Sequence, residues 1–307
     1  MSVRLDVLIG CTASGKSDVA LRLAEHLDAE ILSVDSMQVY RRMDIGTAKP
    51  SPEDRRRVRH HLIDVAEPSE TFSVARYLAL ADAVIADISA RGKRVLAVGG
   101  TALYLKALLE GLFEGPSADP EFRRLFRRRV DQEGSPALHA ELTRVDPQAA
   151  QRIHPNDVRR IERALEVYHL TGQPISTLQR QWDMNRTRYE CRIVGLARQH
   201  EDLSHRINRR VKQMFEAGFV QEVRRLLAEP LPLSREARQG LGYAEVIDHL
   251  TGGPDLDKTI ERVKIHTRRF AKSQRTWFRR FRQTVWIDAA PDEPPDHTAQ
   301  RILPLLA

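Results

Sequence analysis

An apolar run, LDVLIG, leads directly into GCTASGKS at residues 10–17, and this junction constrains the fold more than any other part of the chain. Gly10, four residues, then Gly15-Lys16-Ser17, set between a short apolar segment and a stretch of helical periodicity, is the full phosphate-loop signature in its required context. The backbone N–H groups of residues 13–17 can ring a phosphate at a helix N-terminus, with Thr12, Ala13, Ser14 and Gly15 forming the loop. Lys16 adds a point charge, and the Ser17 hydroxyl is placed to ligate Mg²⁺. Phosphate binding follows from these residues. Whose phosphate it is, and what becomes of it, does not.

The surrounding pattern predicts the sheet that such a loop needs. Residues 3–10 read as a buried strand, KSDVALRLAEHL as a helix, AEILSVDS as a second strand, SVARYLALADAVIADISARG as a helix, KRVLAVGG as a third strand and TALYLKALLEG as a further helix. Strands alternating with helices imply a parallel, doubly wound α/β core with ligands at the carboxyl ends of the strands. Asp35, Thr101 and the Gly10–Ser17 loop all fall at such ends. From about residue 116 the pattern becomes helical, in segments that open with Asp or Ser before Pro; Gly134 and Gly172 read as stops. Strand character returns at YECRIVGLAR. The expected organisation is a P-loop NTPase-like parallel-sheet core from residues 1–115 and 184–307, with an all-helical insertion at 116–183. QTVWIDA reads as a last strand, and the Pro- and Asp-rich DAAPDEPPDHT as a loose tail.

Composition narrows the partners. The 307 residues carry a net charge of +7, and the segment 255–285 alone holds ten Lys and Arg against three acidic residues. The rest of the chain is therefore about neutral, and one basic stretch is available to a polyanion. Its Trp277, Phe278 and Phe281 suit either a core or an RNA surface. Two cysteines, Cys11 and Cys191, exclude a disulfide framework and a cysteine-based zinc site, and point to the cytosol. The short N-terminal apolar run is neither signal peptide nor membrane span. His60 and His61 lack the spacing of a metal site.

The site residues depart from an energy-coupling NTPase. The third strand ends in Gly-Gly-Thr instead of a metal-holding Asp. The strand-end carboxylate is Asp35, on the second strand, which suits a base acting on an acceptor group or a turn cap. A small-molecule kinase is the alternative these residues leave open.

Seven stretches then occur in order: GCTASGKS, SVDSMQVYRRMDIGTAKP, HHLIDVAEPSETFSVARY, VGGTALYLKALLEG, HPNDVRRIERALEVYHLTGQPIS, RINRRVKQMFEAGFVQEV and TRRFAKSQRTWFRRF. Together they closely resemble the bacterial tRNA dimethylallyltransferases, over nearly the whole chain. The resemblance implies that the loop holds the diphosphate of dimethylallyl diphosphate. The prenyl group would pass to the exocyclic amine of the adenosine immediately 3′ of the anticodon in tRNAs reading codons that begin with U. It implies Asp35 as general base, Lys16, the loop amides and Arg206 on the diphosphate, Mg²⁺ on Ser17, and Thr101 beside the reactive adenosine. Arg206 and Arg210 would share a helix face. tRNA contacts are implied for Asp35, Ser36, Met37, Gln38, Thr101, Arg123, Arg159, Arg160, Arg163, Gln239, Gly242 and Tyr243, with Gln38 turned toward neighbouring bases. Without the resemblance, Arg206 and the insertion's arginines would read equally as solvated helix charges, and Thr101 as a helix cap. The target base must leave its stack to reach a buried carboxylate. A cytoplasmic monomer is expected. Three departures are recorded: Cys11 stands where the family usually has Pro, placing a thiol near the donor; Ala102 replaces a Gly; Ala244 replaces a basic residue, which puts one phosphate contact in doubt.

Overall fold

The computed structural model describes residues 3–112, 115–179 and 187–306. In chain order the elements are β1 (Arg4–Gly10), α1 (Lys16–Leu27), β2 (Ala29–Val34), α2 (Pro52–Arg57), β3 (His60–His61), α3 (Val74–Ala90), β4 (Arg94–Gly99) and α4 (Ala102–Glu110). There follow α5 (Pro120–Glu133), α6 (Ser135–Val145), α7 (Pro147–Arg152), α8 (Val158–Thr171) and α9 (Ile175–Leu178). The chain continues with β5 (Glu190–Ala197), α10 (His200–Glu216), α11 (Phe219–Leu227), α12 (Arg235–Arg238), α13 (Tyr243–Leu250), α14 (Leu256–Phe278), β6 (Val285–Asp288) and α15 (Pro295–Leu306). Two compact units result, one from Met1–Leu109 with Tyr189–Ala307, the other from Glu110–Arg188. The expected far end of the insertion, residue 183, lies outside the described residues.

The first unit is built on a sheet of order β3-β2-β4-β1-β5-β6, with every pairing parallel. Burial on both faces makes β1, β2 and β4 near-continuous apolar runs. One face packs Leu5, Val7, Leu32 and Val34 with Tyr77 and Ile85 of α3, and the other packs Leu8 and Ile31 with Leu23 of α1 and Ile302 of α15. The order places the carboxyl end of β4 between those of β2 and β1. Asp35, the Gly100-Thr101 turn and the phosphate loop therefore stand side by side, in the crevice where doubly wound folds bind ligands.

Sequence reading missed β3, a two-residue edge in which the His61 ring pairs with Glu30 at 2.6 Å. The loose tail is also corrected. Pro295–Leu306 is helical, and Ala299, Ile302 and Leu306 are fully buried against the α1 face. The Pro-rich composition gave a loop, but the apolar positions three and four apart beyond it give an amphipathic helix.

The second unit packs its own core from Phe126, Leu138, Leu142, Ile161 and Leu165. Asp119 and Asp146 cap α5 and α7, each accepting a backbone N–H in the first turn. Ser135 is not a cap: Gly134 takes that position, and the serine hydroxyl donates to the Pro155 carbonyl. Asp157 caps α8, its side chain accepting the Arg160 amide.

Candidate active site

Gly15, at φ +91°, ends the loop in the left-handed region that favours glycine, and α1 begins at Lys16. Ala13 is also left-handed, at φ +62°. The loop is gripped from outside by two arginines. Arg206 of α10 donates Nε–H to the Ala13 carbonyl at 2.9 Å. Arg198, just past β5, donates Nε–H to the Ser14 carbonyl at 2.6 Å and Nη1–H to Asp202 at 3.0 Å. A trans peptide aims its N–H opposite its C=O, so the held Ser14 carbonyl turns the Gly15 amide to the other side. Ser14 Oγ is buried and has no partner among the described residues, a polar atom enclosed by the loop. Burial first, then the charge of Arg210, lowers the Lys16 ammonium to about 8 against the opposing pull of Asp35. Burial also lowers Arg210, with Asp35 and Asp18 opposing. These cations stand around an anion-sized cradle.

Asp35 follows β2 directly. Its Oδ1 accepts the Met37 and Gln38 amides at 2.8 and 3.2 Å, while Oδ2 has no hydrogen bond among the described residues. One oxygen thus caps the turn, and that cap leaves the other oxygen without a hydrogen bond among the described residues. Thr101 Oγ1 accepts the Ser36 amide at 3.0 Å, and the Thr101 amide donates to the Val34 carbonyl at 3.2 Å. Its hydroxyl therefore ties the ends of β2 and β4 and is not a cap for α4.

A single open cavity of about 800 Å³ gathers the loop residues Thr12, Ala13, Gly15, Lys16 and Ser17, with Asp35 to Gln38, Thr101, Arg206, Arg210, Gln239, Gly242 and Tyr243. Gly10 and Ser14 complete the loop behind this lining. Several expectations change on close view. The Gln38 amide is already engaged, accepting from Ser33 Oγ at 3.1 Å and donating to the Thr47 and Ala48 carbonyls at 3.3 and 3.4 Å. A base-reading role does not fit that side chain. Tyr243 is 1% exposed, and its hydroxyl donates to Glu222 at 2.7 Å; it supports the cavity wall and has no hydroxyl to offer RNA. Cys11 does not expose a thiol: it is buried, and Sγ donates to the Ala271 carbonyl at 3.4 Å. Ala102 starts α4 half-buried, and Ala244 is exposed on the first turn of α13.

Two functional neighbours were missed. Arg198 lies beyond the motif that drew notice to Arg206. Gln274 was hidden among the charges of α14. Its Oε1 accepts the Thr12 amide at 2.9 Å, and its Nε2 donates to the Gly100 carbonyl at 2.8 Å, joining the phosphate loop to the end of β4. A Cβ at Gly100 would meet this amide, so the second glycine of Gly-Gly-Thr makes room for it. An uncharged residue amid ten cations was the available signal. Phe278 and Phe281 belong to the core, while Trp277 lies half-buried under Arg280.

In the helical unit the expected RNA-facing arginines divide. Arg123 makes a bidentate pair with buried Glu166, at 2.7 and 2.9 Å, and Arg163 donates to the same carboxylate at 2.6 Å. Arg159 and Arg160 are exposed, with Arg160 at 3.3 Å from Asp157.

Among the described residues no cluster of three or more His, Cys, Asp or Glu could hold a metal by itself. Ser17 is exposed in the first turn of α1, beside Asp18. One hydroxyl next to an anion cradle fits Mg²⁺ that enters with a diphosphate and keeps its waters, since this ion rarely uses an all-protein cage.

Parallel strands, a phosphate loop and a carboxylate across the β4 end define an α/β transferase of the P-loop class. A model of the IPP transferase family matches residues 38–281. The tRNA dimethylallyltransferase of Geobacter metallireducens is 47% identical over 285 residues, covering 93% of this chain and 92% of that protein. The tRNA dimethylallyltransferase of Methylococcus capsulatus is 47% identical over 302 residues, covering 96% of each. The solved tRNA isopentenylpyrophosphate transferase of Bacillus halodurans superposes with a TM-score of 0.73 at 39% identity, covering 99% of this chain and 95% of that one. A solved eukaryotic dimethylallyltransferase acting on tRNA gives 0.83 at 29%, covering 98% of this chain and 77% of that one. The chain belongs to the IPP transferase family.

Proposed function

We propose that this enzyme transfers the dimethylallyl group of dimethylallyl diphosphate to the exocyclic amine of the adenosine immediately 3′ of the anticodon, in tRNAs reading codons that begin with U. The observation that carries this reading is the pairing of an open carboxylate oxygen on Asp35 with a cationic phosphate cradle in one cavity. Adenine's amine is a weak nucleophile because its lone pair is delocalised. Asp35 Oδ2 accepts a proton from it as the new N–C bond forms and the allylic C–O bond breaks. The bonding pair leaves with the diphosphate, whose charge Lys16, Arg210 and the loop amides stabilise. Mg²⁺ held by Ser17 and the diphosphate would add a Lewis acid to the leaving group. Arg206 keeps the cradle in shape through the Ala13 carbonyl. Thr101 sets the spacing between base and cradle through its bond to Ser36.

The adenosine enters only if it leaves its stack, which an anticodon loop permits at modest cost. Backbone phosphates are the natural partners of the exposed cations, among them Arg159 and Arg160. No described helix is long and apolar enough to cross a membrane. A monomer acting in the cytoplasm accords with this reading. The test is label transfer to an anticodon stem-loop with Mg²⁺. Carbon-labelled dimethylallyl diphosphate should mark the RNA and γ-labelled ATP should not. Label from ATP alone would return the kinase alternative.

A further inference from the structure

We propose that Glu222 of α11 is a positioning residue for the acceptor side of this site, an inference that rests on the prenyl-transfer reading above. Glu222 is 4% exposed and stands near the end of the stretch that begins at Arg206, well beyond the arginines that drew notice to it. Its Oε2 accepts the Asp44 and Ile45 amides at 2.9 and 2.7 Å, and its Oε1 accepts the Gly46 amide at 3.2 Å and the Tyr243 hydroxyl at 2.7 Å. Three successive backbone donors thus converge on one buried anion. Segment 44–46 lies in no strand or helix of the sheet, so this carboxylate stands in for a ladder. Bonds to an ionised acceptor are roughly twice as strong as neutral ones.

The segment is also pressed into a socket. A Cβ on Gly46 would collide with the rings of Phe219 and Tyr243, which themselves meet edge to face at 5.0 Å. From the seated loop the connection runs inward. The Thr47 and Ala48 carbonyls accept the Gln38 amide, and the Gln38 backbone N–H in turn donates to Asp35 Oδ1. Gly46 to Lys49, Gln38 and Asp35 line the same cavity. Glu222 therefore links the turn around Tyr243 to the loop that aims the candidate base, without itself touching the reacting atoms.

A glutamine at this position keeps one acceptor oxygen and turns an NH₂ toward donors. The loop loses its charged seat while side-chain volume and the phosphate cradle are left nearly unchanged. Displacement by about 1 Å can cost roughly a hundredfold in rate. Glu222→Gln should lower kcat by about ten- to a hundredfold and raise KM for the anticodon stem-loop, with KM for dimethylallyl diphosphate unmoved. Glu222→Asp, which keeps both oxygens, should recover part of the loss. Combined with Gln38→Ala, the loss should fall short of the product of the single effects, because both variants break the same connection.

Tyr243→Phe removes one donor and no packing. It gives the same KM split at smaller amplitude should Glu222→Gln fail to fold. Full multiplicativity in the double variant, or a parallel rise of both KM values, overturns the inference. Failure of the unaltered enzyme to transfer label in the same assay overturns the prenyl-transfer reading, and the inference with it.

Discussion

The arginines of the helical unit and the cations of the cavity carry the same formal charge and differ in what faces them. Arg123 and Arg163 end on the fully buried carboxylate of Glu166. Burial alone would raise Glu166; the two guanidiniums and the Asp119 amide outweigh it and hold the carboxyl below its usual range. In the cavity, Lys16 and Arg210 are neighbours of like charge, and both are lowered. Charge already matched by a carboxylate holds a fold together. Charge opposed by like charge and partly removed from water is poised for an incoming anion. A count of basic residues cannot separate the two, because the separation depends on where the acids lie.

The largest effect should follow loss of the carboxylate that faces the cavity's cations from the end of β2. Asp35→Ala is expected to lower kcat by about 10²- to 10⁴-fold, the range of a removed general base, while tRNA binding survives. Single-turnover label transfer and a filter-binding isotherm on the same preparation would check it. Full activity in that variant would leave Asp35 as a turn cap and nothing more.

Next comes the cradle. Lys16→Ala should cost about 10²- to 10³-fold in kcat, as removal of a preorganised charge at a leaving group does. Its pH dependence sharpens the point. Lys16 is lowered to about 8, and a lysine is cationic below its pKa. The kcat/KM for dimethylallyl diphosphate should therefore be flat below pH 8 and fall about tenfold per unit above it. Lys16→Arg keeps the charge and should move that limb upward. An alkaline limb unchanged by Lys16→Arg would assign it to another group.

How far these sites could be read from sequence follows the same division. The loop at 10–17, Asp35 and Thr101 were legible because strand ends and glycine spacing fix backbone positions, and the sheet order brings them together. The end of β4 was legible as Gly-Gly-Thr, but the reason for its glycine was not, since Gln274 reaches it from 174 residues away. Tyr243 was read as an RNA contact because the family resemblance implies one there. Its hydroxyl is taken by Glu222, a partner that only the packing of α11 on α13 brings near. Cys11 was read as an open thiol by its place in the loop, and α14 covers it. Local periodicity carries burial along an element; it carries no information about which distant side chain ends there.

In the helical unit the expected effect is on stability. Glu166→Gln leaves Arg123 and Arg163 without their anion. Both arginines are about a third exposed, at 34% and 32%, so water offsets part of the loss. A destabilisation of about 1–3 kcal/mol is expected, read by thermal unfolding. The sign of its pH dependence is set by a carboxyl held below 4.5 in the fold. That contribution is complete above the unfolded value and is lost as pH falls through the depressed folded one. The variant should accordingly differ most from the unaltered protein at neutral pH and converge with it in acid.

The smallest effect tests the division inside one helix. Arg160 pairs with Asp157 at 3.3 Å on an exposed surface, an interaction of little net worth that a phosphate can replace. Arg160→Ala should leave thermal stability unchanged and reduce the slope of log affinity for tRNA against log salt by about 1. Arg123→Ala should do the reverse, since its guanidinium is committed to Glu166: stability falls and the slope stays. Equal slopes in the two variants would mean that Glu166 gives up its arginines to RNA. Matched and poised charge would then be two states of one residue, and the contrast drawn between the helical unit and the cavity would fail.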